Sequence, residues 1–270
     1  MTTTASAVRW APPTATHRLD VPGVGEVDVT VRDRDRVQPI LLLHGGAGPA
    51  SVAGFGDLLA ARKRARVITP NHPGFDGTPR PGTLASIAGL AGLYAELLDR
   101  LDVWDVTVIG NSIGGWIAAE LALLGSPRVS GAILLNAVGI EVEGHPVTDI
   151  AGLRPQEVMA LSFYNPGRFA QDPSAPGPTP EMVQANMAAL AAYGGQSMTD
   201  PTLLGRLGEL DLPVQVIWGE ADRIVTPDYG RAYAKAMPMA SFTLMPGAGH
   251  LPQVEAPEEL LGLLWDLGQA

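Results

Sequence analysis

A single serine stands in the glycine-rich stretch GNSIGG, Gly110 to Gly115, between a β-branched run and a helical pattern. A serine hydroxyl becomes a nucleophile only when a sharp strand-to-helix turn projects it toward a substrate. Glycine is expected two positions before and after Ser112, because a side chain there would collide with the turn. A glycine turn with an incidental serine remains the simpler alternative, but the strand before and the helix after favour a nucleophile. The helix that begins at Ile113 would offer its free N–H to a developing oxyanion.

The elements that would position this serine follow an alternating pattern. Continuous apolar runs are typical of strands buried on both faces of a parallel sheet. They occur at Ile40–Gly46, Arg66–Gly74, Val106–Ser112, Val129–Gly139, Val214–Asp222 and Ser241–His250. Helical spacing lies between them, at Ile87–Leu101 and Ile113–Gly125, and again at the end of the chain in PEELLGLLWDLG. The pattern predicts an α/β fold with a doubly wound, mostly parallel sheet, and the alternating stretch GVGEVDVTVRD predicts an antiparallel edge strand.

One long segment interrupts this alternation. Residues 140–210 contain no evident strand, and we interpret them as short helices joined by a loop that is proline-rich at Asp172–Pro180. We therefore predict a core formed by residues 1–139 and 211–270, with 140–210 inserted as a helical cap. Ligands of open α/β sheets bind at the carboxyl edge of the strands, so the cap is expected to cover the site.

Four motifs appear in a fixed order along the chain: HGGAG, GNSIGG, WGEADRIVTP and PGAGHLPQVEAP. In this order and context they resemble the α/β-hydrolases over nearly the whole chain. The resemblance implies a catalytic triad of Ser112, Asp222 and His250, and an oxyanion hole made by the N–H groups of Gly46 and Ile113. His250 would move the proton and Asp222 would hold its ring. Asp228 is the competing acid, although it is more typical of a cap for the helix DYGRAYAKAM.

The resemblance leaves several chemistries open. Ser112 argues against the epoxide hydrolases and haloalkane dehalogenases of this fold, which use aspartate as the nucleophile. We expect a serine hydrolase of a small ester or lactone, with carbon–carbon hydrolysis of ring-fission products as the alternative. Asn111 and a cap arginine, Arg168, favour the alternative, whereas Leu251 stands where those enzymes tend to have an aromatic residue. Non-hydrolytic receptors and elimination catalysts of the fold remain a further class.

The substrate contacts expected from these motifs involve Gly45, Asn111, Trp116 and Arg168. Two further histidines receive structural roles, His44 in orienting the oxyanion loop and His72 in a turn. His17 and His145 show no metal-ligand spacing, so neither a metal nor a cofactor is expected.

Composition narrows the remaining function classes. The chain of 270 residues has 28 acidic and 18 basic residues, and a formal charge of −10. This charge disfavours nucleic acids and anionic membranes as partners, and leaves a small-molecule substrate. The absence of cysteine excludes disulfides and thiol catalysis. The polar N-terminus lacks the apolar core of a signal peptide, so we expect a cytoplasmic protein, with homo-oligomer formation left open.

Overall fold

The computed structural model describes residues 14–34, 38–169 and 179–264. Within these ranges the strands form one eight-stranded sheet in the order β1-β2-β4-β3-β5-β6-β7-β8. The strands are β1 (Thr14–Val21), β2 (Gly25–Arg34), β3 (Gln38–Leu43), β4 (Ala65–Pro70), β5 (Val106–Asn111), β6 (Val129–Leu135), β7 (Val214–Gly219) and β8 (Ala240–Met245). The pairs β1–β2 and β2–β4 are antiparallel and the other pairs are parallel.

The predicted strands are confirmed, although each ends earlier than its apolar run. All six residues of β5 and of β7 are buried, which explains why these segments are continuously apolar rather than alternating. The last residues of each predicted run form the loop that follows the strand. The alternating stretch became β2, which is antiparallel as predicted but lies one strand inside the edge, because β1 covers it.

Helices cover both faces of the sheet, as in a doubly wound fold. They are α1 (Ala50–Arg62), α2 (Ile87–Arg100), α3 (Ile113–Leu123), α4 (Pro155–Ser162), α5 (Pro180–Gly194), α6 (Leu203–Arg206), α7 (Pro227–Ala236), α8 (Pro252–Glu255) and α9 (Pro257–Leu263). Buried residues of α2, α3 and α7 share one apolar cluster, whereas those of α1 and α9 share another. Residues 265–268, the end of the predicted terminal helix, lie outside the described residues.

The sheet order places a switch point at β3 and β5. The chain proceeds from β3 to β4 on one side and then returns to β5 on the other side. Crevices at the carboxyl ends of strands on either side of such a reversal are the usual ligand sites of open α/β sheets. The loop after β3 carries HGGAG, and the turn after β5 carries Ser112.

The segment between β6 and β7 contains α4, α5, α6 and two 3-10 turns, Pro166–Phe169 and Leu207–Glu209. Helix α5 is tied to the core where the Tyr193 hydroxyl donates to the Pro73 carbonyl at 2.8 Å. Helix α6 is tied to α3 by Arg206, whose two terminal nitrogens donate to the Glu120 carboxylate at 2.6 and 2.8 Å. Thus the last turns of the predicted cap pack directly on a core helix. Most of the proline-rich stretch Asp172–Pro180 lies outside the described residues.

Candidate active site

Ser112 occupies a strained turn between β5 and α3. Its backbone has φ 57° and ψ −120°, a conformation that L-residues rarely adopt. The turn is possible because glycines flank it. A Cβ on Gly110 would lie 2.0 Å from the Gly114 carbonyl oxygen, and one on Gly114 would lie 2.5 Å from the Leu43 carbonyl oxygen. The prediction that glycine is required at both positions is therefore confirmed, and the backbone of β3 is one of the obstacles.

The loop after β3 packs against the serine turn, and one of its peptide groups has a fixed orientation. His44 Nδ1 contacts the Gly45 carbonyl oxygen at 2.8 Å, which fixes the orientation of the peptide group between Gly45 and Gly46. In a trans peptide the N–H points opposite to the C=O, so the Gly46 N–H faces the other way. A Cβ on Gly45 would lie 3.0 Å from the Ser112 Cβ, which shows how closely this loop packs on the turn.

The second expected donor is the Ile113 N–H in the first turn of α3. The N–H groups in the first turn of a helix have no intrahelical acceptor. The Ser112 side chain makes no capping hydrogen bond to this helix. The hydroxyl and the N–H are thus both left available at the same end of the helix.

Two buried histidines support the oxyanion loop in their neutral forms. The His72 N–H donates to His44 Nε2 at 3.1 Å, so the His44 proton is on Nδ1, where it donates to Gly45. His72 Nε2 donates to the His44 carbonyl at 2.9 Å, and its Nδ1 contacts the Tyr94 hydroxyl. Burial lowers the pKa of His44 to about 4 and that of His72 well below its usual value. The structure therefore places both residues in the supporting positions expected for them.

His250 and Asp222 form the acid–base half of the site. His250, in the loop after β8, donates from Nδ1 to Asp222 Oδ2 at 2.8 Å, and the carboxylate is fully buried. The other carboxylate oxygen accepts the N–H groups of Ile224 and Val225 at 2.8 and 3.1 Å. Because the ring proton is on Nδ1, Nε2 keeps its lone pair and can accept a proton.

Asn136 is a site residue that sequence reasoning missed. It follows β6 with φ 48°, and its amide donates to Asp222 Oδ2 at 2.6 Å. Its Oδ1 accepts the Gly219 N–H at 3.3 Å. Asparagine tolerates a left-handed backbone better than most residues, which suits this position. A polar residue directly after the apolar run AILL was the signal that could have identified it.

Asn111 does not have the substrate-facing geometry expected from its position before Ser112. Its side-chain nitrogen donates to the carbonyls of Leu135 and His250 at 3.2 and 2.9 Å, and its oxygen accepts from Gln253 at 3.1 Å. The side chain is buried and its hydrogen bonds are made within the protein. Asn111 thus joins the nucleophile strand to the histidine loop, and this corrects the expected substrate contact.

Trp116 lies in the first turn of α3, four residues after Ser112. Its ring packs on the backbone of Gly139, since a Cβ there would lie 2.5 Å from the Trp116 Cγ. The far edge of the ring faces Gly194 at the end of α5. Among the described residues, the buried indole N–H has no hydrogen-bond acceptor. Trp116 therefore brings an unsatisfied donor to the junction of helix α3 and the cap.

Two other candidates are exposed at the surface. Arg168 is exposed on the cap, and its guanidinium lies 5.7 Å from the Phe169 ring. Asp228 is exposed in the first turn of α7 and lies 3.6 Å from Arg231. Thr226, not Asp228, is the N-cap of that helix. Asp222 is the carboxylate that contacts His250.

Metal clusters and membrane-spanning helices are both absent from the ranges that the structure describes. No group of three or more histidine or acidic side chains there could hold a metal ion. None of the helices described for this chain is long and apolar enough to cross a membrane.

Comparison with known proteins places this geometry in a family. The sequence profile of the alpha/beta hydrolase fold matches residues 38–257. The chain is similar to a 2-hydroxy-6-oxononadienedioate/2-hydroxy-6-oxononatrienedioate hydrolase of Paraburkholderia xenovorans, with 28% identity over 98% of this chain and 99% of the relative. It is also similar to a 2-hydroxymuconate semialdehyde hydrolase of Pseudomonas putida, with 28% identity over 87% of this chain and 88% of the relative.

A solved structure supports the same fold. The thermophilic esterase of Thermogutta terrifontis superposes with a TM-score of 0.72 at 22% identity, covering 92% of this chain and 96% of that chain. The strained serine turn, the strand order and the profile match agree with one another. The chain is an enzyme of the α/β-hydrolase family.

Proposed function

We propose that this enzyme is a serine hydrolase that cleaves a small ester or lactone through an acyl-enzyme. The observation that carries the proposal is the buried hydrogen bond from His250 to Asp222, at 2.8 Å. This bond leaves His250 Nε2 as a proton acceptor. The Asn111 side chain holds the His250 carbonyl at 2.9 Å, so the histidine loop is attached to the residue that precedes Ser112. The three groups thus have the roles of acid, base and nucleophile.

The proposed reaction begins when Ser112 Oγ attacks the carbonyl carbon and its proton passes to His250 Nε2. The negative oxygen accepts hydrogen bonds from the N–H groups of Gly46 and Ile113. His250 then gives the proton to the departing alkoxide, and the acyl group stays on Ser112. Water attacks the acyl-enzyme with His250 again as the base, which releases the acid and restores the serine. Asp222 holds the imidazole tautomer throughout.

Trp116 supports a substrate that carries a hydrogen-bond acceptor away from the reacting carbonyl. A helical side chain leans toward the helix N-terminus, so the indole of Trp116 leans back toward Ser112. A buried N–H without an acceptor is costly, and an ether or carbonyl oxygen of the substrate would satisfy it. We assign the Trp116 side chain to substrate recognition. Under this proposal, Arg168 has no role in binding the substrate.

Carbon–carbon hydrolysis is the second candidate, because relatives matching nearly the full chain carry names of hydrolases of ring-fission products. Asn111 and Arg168, the two residues that favoured it, have other contacts in the structure. The amide of Asn111 is used within the protein, and Arg168 is exposed against Phe169. The esterase therefore stays the first proposal. Replacing Arg168 with alanine is expected to leave turnover of an aryl ester unchanged. If Arg168 bound the carboxylate of a dienoate, the same replacement would raise KM for that substrate.

The test is a hydrolysis screen of the purified enzyme with short aryl esters, lactones and a ring-fission dienoate, each repeated with Ser112→Ala. We expect ester or lactone turnover that disappears in the variant. Turnover of the dienoate alone, again lost in the variant, would establish the second candidate and overturn the first. Turnover that survives in the variant would overturn the nucleophile itself.

A further inference from the structure

The C-terminal end of helix α4 in the cap contacts both catalytic loops. Three successive carbonyls there accept N–H groups from the acid loop and the base loop. Arg223, next to the catalytic Asp222, donates from its side chain to the Ala160 carbonyl at 2.7 Å and from its backbone to the Leu161 carbonyl at 3.2 Å. The His250 N–H donates to the Ser162 carbonyl at 2.6 Å. The last turn of helix α4 thus contacts both the loop that carries Asp222 and the loop that carries His250.

Glu255 makes a second connection between the cap and the base loop. One carboxylate oxygen accepts the N–H groups of Tyr164 and Asn165 at 2.9 and 3.3 Å. The other oxygen accepts the Gly249 N–H at 2.5 Å. The side chain is buried, so these bonds are shielded from competition by water. Glu255 therefore fixes the residue before His250 to the segment that follows α4.

The peptide groups on both sides of the His250 α-carbon are fixed by these contacts. Its N–H is held by Ser162 of the cap, and its carbonyl is held by Asn111 of the nucleophile strand. The fit on the cap side leaves no room for adjustment, because a Cβ on Gly249 would lie 2.3 Å from the Ser162 carbonyl oxygen. The His250 backbone is thus held from two sides, and the hydrogen bond to Asp222 then fixes the position of its ring.

We infer that cap residues 160–165 position the catalytic triad, and that Glu255 and Arg223 are the positioning residues through which they act. This inference rests on the proposed function of Ser112, Asp222 and His250. Neither positioning residue touches the reacting atoms in this assignment. Their effect is on the distance and angle between His250 and the serine, to which proton transfer is sensitive, since a misplacement of about 1 Å can lower the rate about 10²-fold.

The main test is Glu255→Gln, which keeps the size of the side chain and removes one of its two acceptor oxygens. The amide must present an NH₂ group to either Gly249 or Tyr164, so one connection is lost. We expect kcat for an aryl ester to fall about 10- to 100-fold with KM unchanged. The matched control is Glu258→Gln, an exposed carboxylate on α9 paired with Arg62, and it is expected to behave like the wild type.

A fluorophosphonate probe separates positioning from folding. The final extent of Ser112 labelling counts the competent molecules, whereas the labelling rate reports how well His250 activates the serine. In Glu255→Gln we expect a labelling rate lowered by the same factor as kcat, with full labelling at completion. A folded variant with wild-type kcat and labelling rate and only a lower melting temperature would overturn the inference, since Glu255 would then be an anchor without a positioning role.

Arg223 supplies an independent variant if Glu255→Gln does not fold. Its side chain is exposed, so Arg223→Ala is expected to stay folded and to lose kcat about 3- to 10-fold. Arg223→Lys, which can still donate to the Ala160 carbonyl, is expected to recover most of it. Equal kcat in the alanine and lysine variants would count against the inference. Failure of the proposed function is seen separately, as ester turnover or probe labelling that persists in Ser112→Ala.

Discussion

Backbone packing holds the nucleophile half of the proposed site, around Ser112, whereas hydrogen bonds from distant residues hold the proposed acid–base half, around His250 and Asp222. Ser112 is fixed by glycines whose missing side chains let β3, β5 and α3 approach closely. His250 and Asp222 are fixed by partners drawn from distant parts of the chain, among them Asn136 and Ser162. The two halves should therefore respond differently to mutation. Side chains added at the glycines of the first half should damage the fold, and changes in the second should damage the reaction in a folded protein.

The largest effect is expected for Ser112→Ala, which removes the group that both halves serve. Loss of the nucleophile lowers kcat by about 10⁴-fold or more in hydrolases with this chemistry. The fold should be unaffected, because the hydroxyl does not cap α3. Steady-state hydrolysis of an aryl ester, with circular dichroism as the control for folding, measures the change. Residual turnover near the wild-type rate would show that the nucleophile is another residue.

Gly114→Ala tests whether packing holds the nucleophile half. The added Cβ would lie 2.5 Å from the Leu43 carbonyl oxygen and 2.6 Å from that of His44, both of them backbone atoms that cannot move aside cheaply. We expect the free energy of unfolding to fall by about 3 kcal/mol or more, as measured in urea. The matched control is Gly54→Ala in α1, where nothing lies within 4 Å of the added Cβ. It should be neutral or stabilising by about 0.5–1 kcal/mol. If Gly114→Ala and Gly54→Ala were equally stable, backbone packing would not be what holds the nucleophile half.

The neutral histidines predict how the oxyanion loop responds to acid. Burial lowers the folded-state pKa of His44 to about 4, and that of His72 well below its usual value, so the unfolded chain binds protons first. The free energy of unfolding therefore has its full value above the unfolded-state pKa of about 6.5, and it decreases as the pH falls toward 4. Between pH 7 and pH 5, His44 should lower the free energy of unfolding by about 2 kcal/mol, and His72 should lower it further. Urea titrations at both pH values measure it, and an unchanged free energy would contradict the neutral assignment.

The smallest effect is expected for Trp116→Phe, which keeps an aromatic ring and removes the indole N–H. Turnover of an ester with an ether oxygen in its acyl chain should fall about tenfold, while its hydrocarbon analogue is affected less. The control is Trp104→Phe, where the indole is exposed and donates to Asp102. The ratio of kcat/KM for the two esters is the measurement. An unchanged ratio would leave Trp116 as a packing residue only.

Sequence patterns predicted the nucleophile half more fully than the acid–base half. GNSIGG is local: the two glycines, the serine and the helix start lie within six adjacent positions, so sterics could be inferred from spacing. The partners of His250 are not local. Ser162 lies in a helix that has no catalytic motif. The sequence spacing between His250 and Glu255 does not reveal the role of Glu255, because its contacts with the cap form only in the folded structure. Asn111 was assigned to the substrate for the same reason, since its partners Leu135 and Gln253 are far away in sequence.

The fold followed from periodicity wherever burial was complete. The apolar runs in β5 and β7 predicted parallel strands because both faces of the sheet are covered by helices. The segment between β6 and β7 has no such regularity, so its attachments to the core could not be predicted. The ion pair between Arg206 and Glu120, which fixes α6 to α3, joins residues that no pattern associates.

The most direct test of the account is to identify the residue that a fluorophosphonate modifies in the wild-type enzyme. Digestion and mass spectrometry after complete reaction should locate the adduct on Ser112, and Ser112→Ala should show none. That result would place the nucleophile at the strained turn from which the whole site is built. Modification of a different residue, or no modification of the folded wild-type enzyme, would contradict the account.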